Sequence, residues 1–384
     1  MEVNKNLSTI SQSSQLALRL VKLKEIEQRV ANIAAGSIIF SPALITKDGV
    51  PIIRRGTINI IQGRQGSHKS RLAELLCSVL LCPEGKTIES LGFEKVENQK
   101  VTVAYVDTER NQAEEFPSAI QSVISKVGFS DPKQIPDFRF TSLKNSERVN
   151  RLDDLKVFIN DIRGESSYPL FVLLDVVTDC MLNFNDLTET MKLLDYIGKL
   201  CETFDATFLL VIHENPGSDK ARGHLGSESV NKSATVMHIG FEKGSNGEYT
   251  ELLQLKFIKQ RHAKRFAPIP LIFSQDTMSL EIADPALVKS IADQRRSKAS
   301  VNDIAATLGK YLKPKLEQKE LLAVLNSDFN CSANTMKTRL EEVERNFMQI
   351  NNEHGVACNL KIISTNGKTT VYELSEIGMV DLLQ

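Results

Sequence analysis

From Gly56 to about Glu281 the chain alternates short apolar runs, TINII, VTVAYVD, PLFVLLD, TFLLVI and LLQLKFI, with helical or polar stretches. Unbroken apolar runs fit strands covered on both faces. Their alternation with helical segments predicts an α/β domain with a mostly parallel central sheet. Ahead of it, Leu16, Leu20, Leu23, Ile26, Val30 and Ile33 recur at three- and four-residue steps. That spacing puts them on one helix face and predicts an N-terminal amphipathic helix or arm over 1–36. Such a helix either covers its own core or docks on a neighbouring subunit.

The strand-rich pattern stops around Asp284 to Ser300, where the text turns helical and polar and carries the basic run Gln294 to Lys298. The boundary therefore falls between a larger domain, 37–284, and a smaller one, 285–384. In the smaller one a helix near Lys315 to Leu325 is followed by a second from about Ala333 and by LKIISTNGKTTVYEL. Alternating residues around Asn366 and Gly367, which tolerate positive φ, predict a hairpin. Helix, helix, hairpin is the plan of a small α+β, winged-helix-like domain. Its Asn334, Thr335, Lys337 and Arg339 are candidates to face phosphates or bases, although such domains also dock proteins.

Composition narrows the classes. At 384 residues a two-domain chain is expected, and 41% hydrophobic with 25% charged residues is ordinary for a globular protein. No window is apolar enough to cross a bilayer, and the polar start MEVNKNLSTISQSSQ lacks the plan of a secretory signal. A cytoplasmic protein with no membrane partner is expected. Six scattered cysteines form no C-x-x-C pair, so neither disulfides nor a zinc site is expected. A net charge of -1 excludes a global cationic field, so contact with nucleic acid must use local basic patches.

The segment TINIIQGRQGSHKSRLAELL joins an apolar strand to a glycine-containing loop and then a helix. This is the context of a phosphate-binding loop, where backbone N–H groups and a helix N-terminus cradle phosphates. Gly63, Arg64, Gln65, Gly66, Ser67, His68, Lys69, Ser70 and Arg71 form it. Lys69 is placed to reach the β/γ-phosphates of ATP and Ser70 to ligate Mg²⁺. His68 stands where a glycine is usual, a departure that His tolerates better than most residues.

VTVAYVDTER ends in acids, and Glu109 sits where a carboxylate could activate the water that attacks a γ-phosphate; Asp107 is the weaker candidate. PLFVLLD ends in Asp175, which fits the Mg²⁺ shell. For both acids the alternative is a strand-end cap. TFLLVIHEN ends near His213, either a group facing the ligand edge or a satisfied strand-end histidine, and the polar loop after it could sense phosphate and meet DNA. The loop after it carries Gly217, Lys220, Arg222 and Gly223. LKFIKQRHAKRF closes with Lys259, Arg261, Lys264 and Arg265, which could reach a neighbour's γ-phosphate or be a solvated face.

In this order the segments GRQGSHKS, YVDTER, LLD, VIHEN through RGHLGSES, and IKQRHAKRF resemble the RecA-like ATPases of the hexameric helicase group, in particular the DnaB and plasmid RepA replicative helicases. The resemblance covers roughly Gly56 to Glu281. It implies a RecA-like P-loop NTPase core. Glu109 would be the catalytic base, Asp175 the Mg²⁺-associated acid and His213 a polar sensor. Lys259 and Arg261 would be a finger acting in trans within a homo-oligomeric, hexameric ring. The function it implies is an ATP-hydrolysing DNA motor on single- or double-stranded DNA. Two rivals stay open: a DNA-bound, ATP-dependent switch that unwinds nothing, and a recombinase-like filament former.

Overall fold

The computed structural model describes residues 2–38, 40, 42–214, 223–244, 248–261, 263, 266–297, 300–313, 315–329, 331–365 and 369–377. The chain divides into two units, Met1–Ala43 and Leu44–Gln384. In the first, α1 (Glu2–Ala34) is one helix. Leu16, Leu20, Leu23, Ile26, Val30 and Ile33 all stand exposed on it.

The second unit is entered through β1 (Ala43–Lys47) and β2 (Val50–Arg54). Next come β3 (Ile58–Gly63), α2 (Lys69–Leu81), β4 (Phe93–Lys95), β5 (Thr102–Asp107), α3 (Glu115–Lys126), β6 (Phe138–Ser142) and α4 (Arg151–Glu165). The chain continues through β7 (Leu170–Asp175), α5 (Leu187–Phe204), β8 (Ala206–His213), α6 (Gly223–Lys232), β9 (Thr235–Lys243), β10 (Tyr249–Gln260), β11 (Ile269–Ser274) and β12 (Ser279–Ile282). Strands β2, β1 and β4 make a small sheet. The main sheet has nine strands in the order β12-β11-β10-β9-β3-β8-β7-β5-β6.

From β9 to β6 all neighbours run parallel. Strands β10, β11 and β12 extend the sheet antiparallel. The run LLQLKFI, expected within a mostly parallel sheet, is thus an antiparallel strand of a mixed one. The short link from β9 to β10 leaves no room for a crossover helix, so a hairpin is the available connection.

Strands β5 and β7 are buried at every position, which is why their sequences read as continuous apolar runs. Successive side chains go to opposite faces. Ile61, Tyr105, Leu173 and Val211 join Leu72, Leu76 and Phe116 of α2 and α3 in one core. Ile60, Val106, Leu174 and Ile212 join Leu155, Ile159 and Leu193 of α4 and α5 in the other. Each fully buried Leu or Ile contributes about 2 kcal/mol.

Beyond β12, α7 (Pro285–Ser297) starts on a proline, which suits a first helical position. Its Leu287, Val288 and Ile291 pack against Leu252, Ile272 and Ala283. The helix after residue 284 therefore lies on the main sheet. A separate small core follows, built from α8 (Val301–Tyr311), β13 (Lys315–Glu317), α9 (Gln318–Phe329), α10 (Ala333–Arg345), β14 (Ile350–Asn351), β15 (Ala357–Thr365) and β16 (Thr369–Glu376). Ser300 and Ser332 cap α8 and α10 by accepting from the backbone N–H of Asp303 and Thr335. Leu308, Leu321, Leu325, Met336, Leu340 and Tyr372 fill the core. The antiparallel sheet runs β13-β16-β15-β14. The expected turn residues Asn366 and Gly367 lie outside the described residues. Among the described residues no helix is long and apolar enough to cross a membrane.

Candidate functional site

Strand β3 ends at Gly63, and residues 64–68 turn the chain directly into α2. The Arg64 carbonyl accepts from Ser67 N at 3.2 Å, Ser67 Oγ at 2.8 Å and Lys69 Nζ at 2.6 Å. These bonds curl the loop around the lysine. A Cβ on Gly63 would lie 2.2 Å from the Ile239 carbonyl oxygen and 2.6 Å from Ser67 Oγ, so only glycine permits this approach. His68 occupies the left-handed region at φ 61, ψ 26. Its ring stacks on Phe273 at 4.2 Å and meets Phe241 edge-on at 5.8 Å. The side chain that replaces the usual glycine is thus held by aromatic packing. Burial, and secondarily Arg71, holds its pKa below the ordinary value.

The first-turn N–H groups of α2 have no partner inside the helix by construction, and with the helix dipole they favour an anion at this end. Lys69 is buried there. Burial lowers its ammonium pKa, and Asp175, Glu214 and Glu109 work against that loss.

The parallel register sets Asp107 beside Asp175. Ser70 Oγ donates to Asp175 Oδ1 at 3.1 Å, so the two expected Mg²⁺ ligands meet. Asp175 Oδ2 accepts from Tyr105 OH at 3.2 Å and lies 3.2 Å from Arg110 Nη1. The same guanidinium reaches Asp107 Oδ2 at 3.2 Å, Glu74 Oε1 at 3.3 Å and the Tyr105 hydroxyl. Asp107 Oδ1 accepts from the backbone N–H of Glu109 at 3.1 Å and Arg110 at 2.8 Å. Asp107 therefore fixes the turn that presents Glu109. Burial raises Glu74 to about 7 against the pull of Arg110 and Arg71. Burial likewise raises Asp107 to about 6 against its backbone hydrogen bonds and Arg110.

Glu109 is half-exposed, and its Oε1 faces His213 Nε2 at 3.6 Å. His213, with Lys69 and Arg110 adding to it, holds the carboxyl below the usual range although burial opposes this. It is a carboxylate at neutral pH. His213 pairs in register with Gly63, and its Nδ1 is buried without a partner. A hydroxyl and one carboxylate suit a hard cation that takes its remaining ligands from phosphates and water, as Mg²⁺ does. Among the described residues no group of three or more His, Cys, Asp and Glu forms a protein-only metal cage.

Lys259 and Arg261 lie elsewhere. Gln260 pairs with Thr235, the first residue of β9, at the end of the sheet opposite the loop. Lys259 Nζ donates to the Val230 and Asn231 carbonyls, both at 2.8 Å. The Arg261 N–H donates to Ala234 O at 2.9 Å. Within one chain neither meets Lys69. Gly217, Lys220, Arg222, Lys264 and Arg265 lie outside the described residues, and Gly223 begins α6.

The sequence reading passed over Arg110, Glu74 and a second polar group. Glu214 Oε1 accepts from Gln62 Nε2 at 3.2 Å and lies 2.9 Å from His238 Nε2. Arg110 stood in the VDTER segment. Glu74 is brought to Arg110 by the packing of α2 on the sheet, and Gln62, Glu214 and His238 become neighbours only through strand register, which no local pattern encodes.

Fold and site together define an α/β protein with a glycine-containing loop between β3 and α2 of a mixed nine-stranded sheet. No protein-family model matches the chain, and no curated protein matches it. Among solved structures it is similar to the crystal structure of the RadB recombinase, at 12% identity and a TM-score of 0.41, over 60% of this chain and 92% of that one. A likeness that loose carries no conclusion about this chain.

Proposed function

We propose that the chain is a RecA-like, P-loop ATPase that acts on DNA. The observation that carries this reading is the convergence of Lys69, the Ser70–Asp175 pair at 3.1 Å and the Glu109–His213 pair at 3.6 Å on the carboxyl ends of neighbouring strands. The loop N–H groups and Lys69 hold the phosphates of ATP. Ser70 and Asp175 hold Mg²⁺, which when bound neutralises phosphate charge. Glu109, ionised and oriented by His213, aligns the attacking water and takes its proton.

Arg261 is exposed at the sheet end opposite its own loop, beside Lys259, whose Nζ is held by the Val230 and Asn231 carbonyls. That placement supports a finger that serves a neighbour's nucleotide, and so a homo-oligomer, for which we favour a hexameric ring. The order helix, strand, helix, helix, hairpin, with β13 beside β16, supports a winged-helix domain. On α10, Asn334 and Thr335 are exposed and Lys337 and Arg339 partly so, which supports contact with DNA. The activity we favour is a helicase-like or translocating motor.

The test is steady-state ATP hydrolysis with and without single-stranded DNA at low salt, where phosphate contacts are strongest. We expect DNA to stimulate hydrolysis and Lys69→Ala to abolish it. Hydrolysis indifferent to DNA would favour a nucleotide switch, and unchanged turnover in Lys69→Ala would remove the site assignment. Mixing Arg261→Ala with Glu109→Ala protein should restore part of the turnover where intact groups meet across an interface. Mixed assembly without rescue would argue against the finger in trans.

A further inference from the structure

A cavity of ≈ 750 Å³ opens beside the loop 64–68, lined in part by Arg64, Glu214, His238, Tyr249 and Lys256. It lies on the sheet face that carries Ile60 and Ile212, the face away from α2. Its size falls in the roughly 300–1,000 Å³ range of sites for small organic ligands.

Two of its polar residues are buried and incompletely paired. The Glu214 and His238 side chains are 1% and 9% exposed. Glu214 Oε1 serves Gln62 and His238, while Oε2 is buried without a partner. His238 Nε2 lies 2.9 Å from Glu214 Oε1, and its Nδ1 is likewise buried without a partner. A buried carboxyl oxygen lacking a donor is unfavourable unless a ligand brings an N–H group. The same cavity is lined by Tyr249, about half exposed, with the Arg64 guanidinium 5.3 Å and Lys243 Nζ 5.8 Å from its ring centroid. Lys256 is exposed on the strand paired with His238.

We propose that this cavity is a subsite for a nucleobase that carries an exocyclic amino group. An amino N–H meets Glu214 Oε2, with His238 beside it. The base stacks on Tyr249, and Arg64 and Lys256 draw its phosphate. Thymine and uracil present a carbonyl at that position, which the Glu214 oxygen repels. The base comes either from a single strand or from the nucleotide held by the loop. Only the second source rests on the ATPase reading.

The experiment is equilibrium binding with no hydrolysis step, so a hydrolysis-dead chain tests it equally well. Labelled oligo(dC) and oligo(dT) form one arm, measured also in Lys69→Ala. CTP and UTP form the other. A preference for oligo(dC) of about tenfold, the size of one charge-assisted hydrogen bond, that persists in Lys69→Ala assigns the subsite to a strand. The same preference for CTP over UTP, absent from the oligonucleotides, assigns it to the loop-bound nucleotide. Glu214→Gln, whose amide can offer an N–H, should shift either preference toward thymine or uracil. Tyr249→Ala should weaken both bases alike and keeps the test open should Glu214→Gln fail to fold. No cytosine preference in either arm, or one unchanged by Glu214→Gln, overturns the proposal.

Discussion

Two buried polar groups flank the same sheet and are built on opposite plans. On the α2 side, the Arg110 guanidinium serves Glu74, Asp107, Asp175 and the Tyr105 hydroxyl, and none of these side chains has a buried atom lacking a partner. On the other side, Gln62, Glu214 and His238 lie together but leave two buried polar atoms unmatched. The first group directs its polarity inward and fixes Asp175 and the Glu109 turn. The second leaves part of its polarity unmatched within the chain.

The sharpest way to break the comparison is at the residue that the first group positions. Glu109→Gln should lower kcat for ATP about 10²–10⁴-fold while nucleotide affinity stays within a few-fold, measured by steady-state kinetics and equilibrium binding. Next in size is Arg110→Met, which strands three carboxylates. It should cost about 3 kcal/mol in urea unfolding. Gln62→Met in the second group removes a donor to Glu214 and should cost only about 1 kcal/mol. Equal costs would mean that the two groups are not different in kind.

The first group also predicts a pH dependence. Glu74 is raised from 4.5 to about 7 and Asp107 from 3.8 to about 6 on folding. Between those limits the folded chain binds more protons than the unfolded one, so stability conferred at low pH is lost as pH rises from about 4 to about 7. Urea midpoints across that range should fall, and Glu74→Gln should flatten the slope. A slope of opposite sign would remove the assignment. The smallest effect is expected at His68→Gly. The lost stack on Phe273 costs about 1 kcal/mol, and the freedom of glycine in the left-handed region offsets part of it.

The α/β pattern, the loop 63–71 and both strand-end acids were legible because each depends on local order: an apolar run, a turn residue, then a charge. The direction of β10 was not, since LLQLKFI reads the same in either direction and the short link that decides it is a matter of geometry. The sequence ranked Glu109 ahead of Asp107 without the contacts that distinguish them: Asp107 accepts the backbone N–H groups of Glu109 and Arg110, and Arg110 reaches the distant Glu74. His238 and Gln62 sat unmarked inside apolar strands, because a polar residue there has meaning only once its neighbour across the sheet is known.

One tie bears on how motion would cross the molecule. Helix α6, with its 10 residues, is a rod about 15 Å long. One end begins at Gly223, against Phe184 and Asn185 beyond the carboxyl end of β7, and the other is pinned by Lys259 through two hydrogen bonds at 2.8 Å. A shift of the Gly223 end must either rupture that pin or drag the Lys259–Arg261 corner with it. The helix is thus a strut that makes the two ends of the sheet mechanically answerable to each other.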